Sequence, residues 1–142
     1  MKSRLTQMII LSALIIFSLP LVGCKAGTTS KRGQETLKTS VVYRERIILP
    51  RKATITVTLE DVSLMDVAAT VIAQKSILPE GTPPYSIDLM YNASKIKDGA
   101  RYAVRARIEE NGQLLFINDT HIDPFAGPAG TPVEILVKSV AR

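Results

Sequence analysis

Hydrophobic and polar residues alternate at period two over most of the chain beyond residue 40, the spacing of strands with one buried face. Thr54, Thr56 and Thr58 alternate with Ile55, Val57 and Leu59, a β-branched run suited to a pleated surface. Tyr85, Ile87, Leu89 and Tyr91 share one face of the next clear run. Across 102–108, Tyr102, Val104, Ala106 and Ile108 point inward while Arg105 and Arg107 point outward. Asn111 and Gly112 separate that run from 113–120 and predict a two-residue type I′ hairpin, because both central positions of that turn need positive φ. Runs at 41–49, 70–77 and 133–140 complete a set of seven strands. Residues 63–69 and 93–98 are open to a helical turn instead.

Seven short strands with regularly spaced turns predict an all-β fold, a single antiparallel β-sandwich of immunoglobulin-like architecture. A small closed barrel is the competing arrangement. Pro79, Pro83, Pro84, Pro124, Pro128 and Pro132 all fall between the runs, where a missing N–H does no harm.

The N-terminus follows a different pattern. Lys2 and Arg4 precede an apolar run from Met8 to Val22, and Leu21, Val22 and Gly23 lead directly into Cys24. This is a secretory leader with its processing site set against a cysteine. It resembles the bacterial lipobox and predicts cleavage after Gly23, with fatty acyl chains such as palmitate carried on Cys24. An uncleaved membrane anchor is the other reading, but the run falls short of the roughly 20 residues a bilayer span needs. Pro20 would also interrupt such a helix. Cys24 is the one cysteine of the chain, so acylation would leave the mature domain without a thiol. Two or more acyl chains make a stable anchor where one does not.

Residues 24–38 are rich in Gly, Ser, Thr and Lys and read as a flexible basic tether, which leaves 39–142 as one domain. Charge follows this division. Residues 25–52 hold eight Lys or Arg against two acidic residues, whereas 53–142 hold eight basic against eleven acidic. The overall +5 therefore belongs to the leader and the tether region, not to the domain body. A basic segment beside an anionic membrane surface explains it better than nucleic acid does, since few aromatics interleave with these charges.

Candidate chemistry is sparse. His121, the one histidine, lies between Asp119 and Asp123, but no second histidine or free thiol completes a preferred zinc set. The carboxylates read as turn caps, and no metal or other cofactor is expected. Ser63, Ser76, Ser86 and Ser94 lack a nucleophile-elbow context, and the neighbouring pairs Glu60–Asp61 and Glu109–Glu110 point to opposite faces of a strand. No catalytic residue is assigned, and a hydrolase built on His121 is a distant reading. Arg44 with Arg46, and Arg105 with Arg107, each share a strand face. If those strands were neighbours, four guanidiniums would form one anion-binding patch. The ordinary alternative pairs them with Glu45, Glu60 or Glu109 at the surface.

Tyr43, Arg44, Glu45, Arg46 and Ile47, followed by the run from Leu59 to Asp66, resemble the YbaY-like lipoprotein family, grouped with the YscW-type secretion chaperones. The runs 102–108 and 114–120 resemble it as well. The resemblance implies an exported, membrane-anchored β-sandwich, and its best-understood members help a secretin ring reach or assemble in the outer membrane. Lys25, rather than aspartate, follows Cys24; in enteric-type bacteria this favours transfer to the outer membrane, with the domain facing the periplasm. The function expected is a non-catalytic envelope module that binds another envelope protein, in its sharpest form as pilotin-like escort of a secretin. The alternative is an accessory lipoprotein that recognises envelope glycan or lipid through Arg44, Arg46, Arg105 and Arg107.

Overall fold

The structure, a computed structural model, describes residues 33–140. The leader, Cys24 and most of the expected tether lie outside the described residues. Eight strands form two sheets packed face to face. In chain order they are β1 (Gln34–Val42), β2 (Ala53–Asp61), β3 (Thr70–Ile77), β4 (Tyr85–Asn92), β5 (Tyr102–Glu110), β6 (Gln113–Ile117), β7 (Val133–Leu136) and β8 (Lys138–Ser139). One sheet has the order β4-β1-β7 and the other β3-β2-β5-β6-β8.

The inward positions of the period-two runs meet between the sheets. Ile55, Val57 and Leu59 of β2 and Val104, Ala106 and Ile108 of β5 face Val41, Ile87, Leu89 and Ile135 of the smaller sheet, all buried. Tyr43, Tyr85 and Phe116 extend this core at one end, with Tyr43 and Phe116 ring centroids 5.2 Å apart. Tyr91 and Tyr102 extend it at the other, where Phe125 lies across both rings at 6.0 and 5.6 Å. A fully buried Ile, Leu or Val side chain contributes about 1.5–3 kcal/mol, so this interface dominates the stability of the fold.

The structure departs from the sequence expectation in three places. The first strand runs over Gln34–Val42 rather than 41–49, and so takes in the last five residues of the expected tether. Leu37, Thr39 and Val41 supply its buried face, and Thr39 meets burial by donating Oγ1–H to the Ile87 carbonyl at 2.7 Å. Only one aliphatic residue precedes Val41 in this strand, so its hydrophobic alternation is faint. Residues 43–50 instead form an irregular segment closed by Tyr43, whose hydroxyl donates to the Ile47 carbonyl at 3.0 Å.

The second departure is that β7 runs parallel to β1, with Thr39 opposite Val133 and Val42 opposite Leu136. The remaining pairs are antiparallel. The third is that 133–140 is two short strands in different sheets. Val137 is buried at the corner between them, and its N–H donates to the Val42 carbonyl at 2.9 Å. The chain thus crosses from β1 to β6 and joins the sheets along one side. On the other side β3 and β4 share no ladder, and Lys75 Nζ bridges to the Asp88 carbonyl at 3.0 Å. The result is a sandwich, not a closed barrel.

The expected turns are present. Asn111 and Gly112 have φ of 50° and 79°, the type I′ signature, between β5 and β6. Residues 63–69 form turns rather than a strand, and Ala93–Lys95 forms a single 3₁₀ turn. Asn92 caps it by accepting from the Ser94 amide at 3.0 Å.

Candidate functional site

The outer face of the larger sheet carries the arginines. Arg105 and Arg107 lie two apart on β5, opposite Thr58 and Thr56 of β2, and both are exposed. Arg105 Nε sits 2.9 Å from Glu60 Oε2, and Arg107 Nε sits 3.6 Å from Glu109 Oε1. Thr56 Oγ1 and Ser76 Oγ share a hydrogen bond of 2.8 Å beside them. A shallow depression of about 290 Å³ runs over this face, bounded by Val71 and Ile117. Arg44 and Arg46 are elsewhere. They follow the end of β1 in the irregular segment, and β1 belongs to the other sheet. The structure therefore does not bring the four guanidiniums together, and the two on β5 already have carboxylate partners.

The residues considered for metal or catalysis have local tasks. Asp119 accepts from Lys138 Nζ at 2.9 Å and from the Thr120 hydroxyl at 3.1 Å. The Lys138 ammonium, then the Thr120 hydroxyl, hold its carboxyl below the usual range. Asp123 Oδ1 accepts the Phe125 amide at 2.9 Å, an Asx turn. Among the described residues no three His, Cys, Asp or Glu side chains converge in a metal-binding geometry. Ser63 Oγ accepts the Arg101 amide, Ser94 Oγ donates to Asn92 Oδ1, and Ser76 bonds to Thr56. None of these hydroxyls is engaged by His121.

Two exposed apolar surfaces lie at opposite ends of the sandwich. At the end holding the β5–β6 hairpin, Ile47 and Ile48 are 51% and 83% exposed. They border a groove of about 440 Å³ with Pro50, Leu114, Leu115, Phe116 and Val140. Its floor is the margin of the larger sheet, where β8 covers β6 over two residue pairs and the Val140 amide donates to the Leu115 carbonyl at 2.9 Å. At the other end the turn after β2 exposes Leu64, Met65 and Val67 at 74%, 82% and 58%. That is also the end at which the described chain begins, since Gln34 pairs with Asn92 and the Gly33 carbonyl accepts the Ala93 amide at 2.7 Å.

Sequence reasoning missed both surfaces. It absorbed Ile47 and Ile48 into a strand and read 63–69 as a strand or a helical turn. The available signal was adjacent apolar pairs, Ile47–Ile48 and Leu64–Met65, standing outside any alternating run and next to turn residues.

Comparison with known proteins gives the chain a family. A family model described as type III secretion system lipoprotein chaperone (YscW) matches residues 32–137. The chain belongs to this family. Among curated proteins, the chaperone-family chain is 35% identical over 110 residues to the uncharacterized lipoprotein YbaY of Escherichia coli strain K12. That match covers 77% of this chain and 57% of YbaY, so the chain spans little more than half the length of this relative. Among solved structures, an alternative pilotin from the type II secretion system of Vibrio cholerae matches with a TM-score of 0.66 and 41% identity. The match covers 75% of this chain and 99% of that one. The YbaY-like, YscW-type resemblance read from the residues is the family the chain belongs to.

Proposed function

We propose that this chain is a membrane-anchored, non-catalytic lipoprotein that binds and escorts another exported protein, with an outer-membrane secretin as its client. The 41% identity to a pilotin across nearly the whole of that protein carries this reading. In it, the leader is cleaved before Cys24, Cys24 is acylated, and residues 24–32 tether a sandwich that begins at Gly33. Lys25 then directs the anchored chain to the outer membrane, with the domain in the periplasm. The client surface is the groove beside Ile47 and Ile48. Its support is the combination of exposed aliphatic side chains with a sheet margin left open at Gln113 and Leu114, the hairpin end of β6, which suits an extended apolar segment. Recognition of glycan or lipid through the arginines has less support, because Arg105 and Arg107 are paired and Arg44 and Arg46 lie apart from them.

The test is affinity purification from detergent-solubilised membranes after crosslinking in cells, with Cys24→Ser and Ile48→Asp alongside. A secretin recovered with the natural chain is expected. With Cys24→Ser the pair should form but fail to reach the outer membrane. Ile48→Asp should weaken capture about tenfold or more, the effect of losing one well-seated aliphatic anchor. A clean membrane-bound chain with no protein partner would overturn the escort reading.

A further inference from the structure

The turn between β2 and β3 is built as a projecting apolar tip on a pinned base. At the base, the Val62 amide donates to the Arg101 carbonyl at 2.8 Å, and the Arg101 amide donates to Ser63 Oγ at 2.8 Å. Asp61 Oδ1 accepts the Ser63 amide at 2.9 Å. Beyond it Asp66 takes a left-handed φ of 63°, and Leu64, Met65 and Val67 stand away from the core. Three aliphatic side chains exposed together on one turn are a costly arrangement in water unless something covers them.

The position of the turn says what covers it. Only nine peptide links separate Cys24 from Gly33, so a bilayer holding acylated Cys24 can be no more than about 30 Å of chain from this end of the sandwich. Lys25, Lys31 and Arg32 lie on that linker and are attracted to anionic lipid. On the folded part of this end Lys95, Lys97 and Arg101 are outnumbered by Glu35, Asp61, Asp66, Asp98 and Asp123, so the fold adds no basic patch there and the apolar side chains supply the contact. Tethering raises the effective concentration of the bilayer at this surface, so a contact too weak to hold a free protein suffices here.

We propose that Leu64, Met65 and Val67 dock on the phospholipid bilayer to which Cys24 is acylated, seating the sandwich upright with the Ile47–Ile48 groove facing away from the membrane. The inference rests on the acylation of Cys24 proposed above, and the experiment separates the two. The acylated chain, with an environment-sensitive dye on the thiol of Met65→Cys, is reconstituted in phosphatidylethanolamine–phosphatidylglycerol vesicles containing spin-labelled lipid. The same dye on Thr82→Cys, in the exposed loop at the opposite end, is the reference. A blue shift and severalfold stronger lipid quenching at position 65 are expected. Both should be lost in Leu64→Glu/Val67→Glu, although that chain still floats with the vesicles. Position 65 behaving like position 82 in a chain that floats would overturn the docking. So would a shift at 65 that needs an envelope protein and not lipid. If mass spectrometry finds no lipid on Cys24 and the chain does not float, the anchor reading fails. The dye is then read on Cys24→Ser/Met65→Cys held to the same vesicles by an N-terminal His tag and a nickel-chelating lipid, which restores the tether, a shift supporting the docking and none overturning it.

Discussion

Asn118 shows how much one polar side chain can organise in this fold. It is buried where β6 ends, with Oδ1 accepting the Ala106 amide at 2.7 Å and Nδ2 donating to the Thr120 carbonyl at 3.0 Å. Its own amide donates to the Ala106 carbonyl at 3.2 Å. The side chain thus replaces the next rung of the β5–β6 ladder and turns the chain out of the sheet. Asn118→Ala would leave the Ala106 amide buried and unpaired, so a loss of about 1–3 kcal/mol is expected in urea unfolding. In the sequence Asn118 reads as one more polar position in a strand running to residue 120. Its role depends on Ala106, twelve residues away, and no local pattern reports that.

At the scale of the element, β5 was legible and its surroundings were not. Its alternation predicted the buried set Tyr102, Val104, Ala106 and Ile108 and the outward pair Arg105 and Arg107, and the structure has all six as expected. Which strands flank β5 is a matter of topology. The neighbours are β2 and β6, so Arg105 meets Glu60 of β2, whereas Arg107 meets Glu109 two residues along β5 itself, and Arg44 and Arg46 lie on neither neighbour. Exposed pairs of this kind contribute little, because each gains modest Coulomb energy in water and loses side-chain freedom. Arg105→Ala/Arg107→Ala should therefore change stability by no more than about 1 kcal/mol and leave client capture intact. Loss of capture in a folded double variant would return the arginine face to consideration. The strand β1 was the harder element. Its first three residues are exposed and polar, its buried set of Leu37, Thr39 and Val41 includes a threonine, and a composition like that of the tether concealed it.

For the molecule as a whole, the two tyrosine clusters at the ends of the core set a pH limit. Burial, then the bond to Tyr43, pushes the Tyr85 hydroxyl up from the ordinary 10 to about 12. Burial, then the Glu35 carboxylate, does the same to Tyr91, whose hydroxyl donates to Glu35 Oε2 at 2.7 Å. The folded chain holds both protons where the unfolded chain would release them. Their contribution to stability is complete below pH 10 and is lost as pH rises from 10 towards 12. The urea midpoint should fall across that interval, and Tyr91→Phe should flatten part of the fall. An unchanged midpoint would mean that these hydroxyls ionise freely in the fold.

By itself the sequence determined the runs of β2 to β6, the Asn111–Gly112 hairpin, the inward face of each central strand and the family resemblance. All of these rest on local periodicity, turn chemistry or residue order, which act between near neighbours in the chain. Only the tertiary structure decided that β7 lies parallel to β1, that the chain crosses between sheets at Val137, and that Arg44 and Arg46 fall in the irregular segment after β1 while Arg105 and Arg107 stand on β5. It alone left Ile47, Ile48, Leu64, Met65 and Val67 exposed. Those outcomes depend on which distant segments share a sheet, and period two states that a face is buried without naming what buries it.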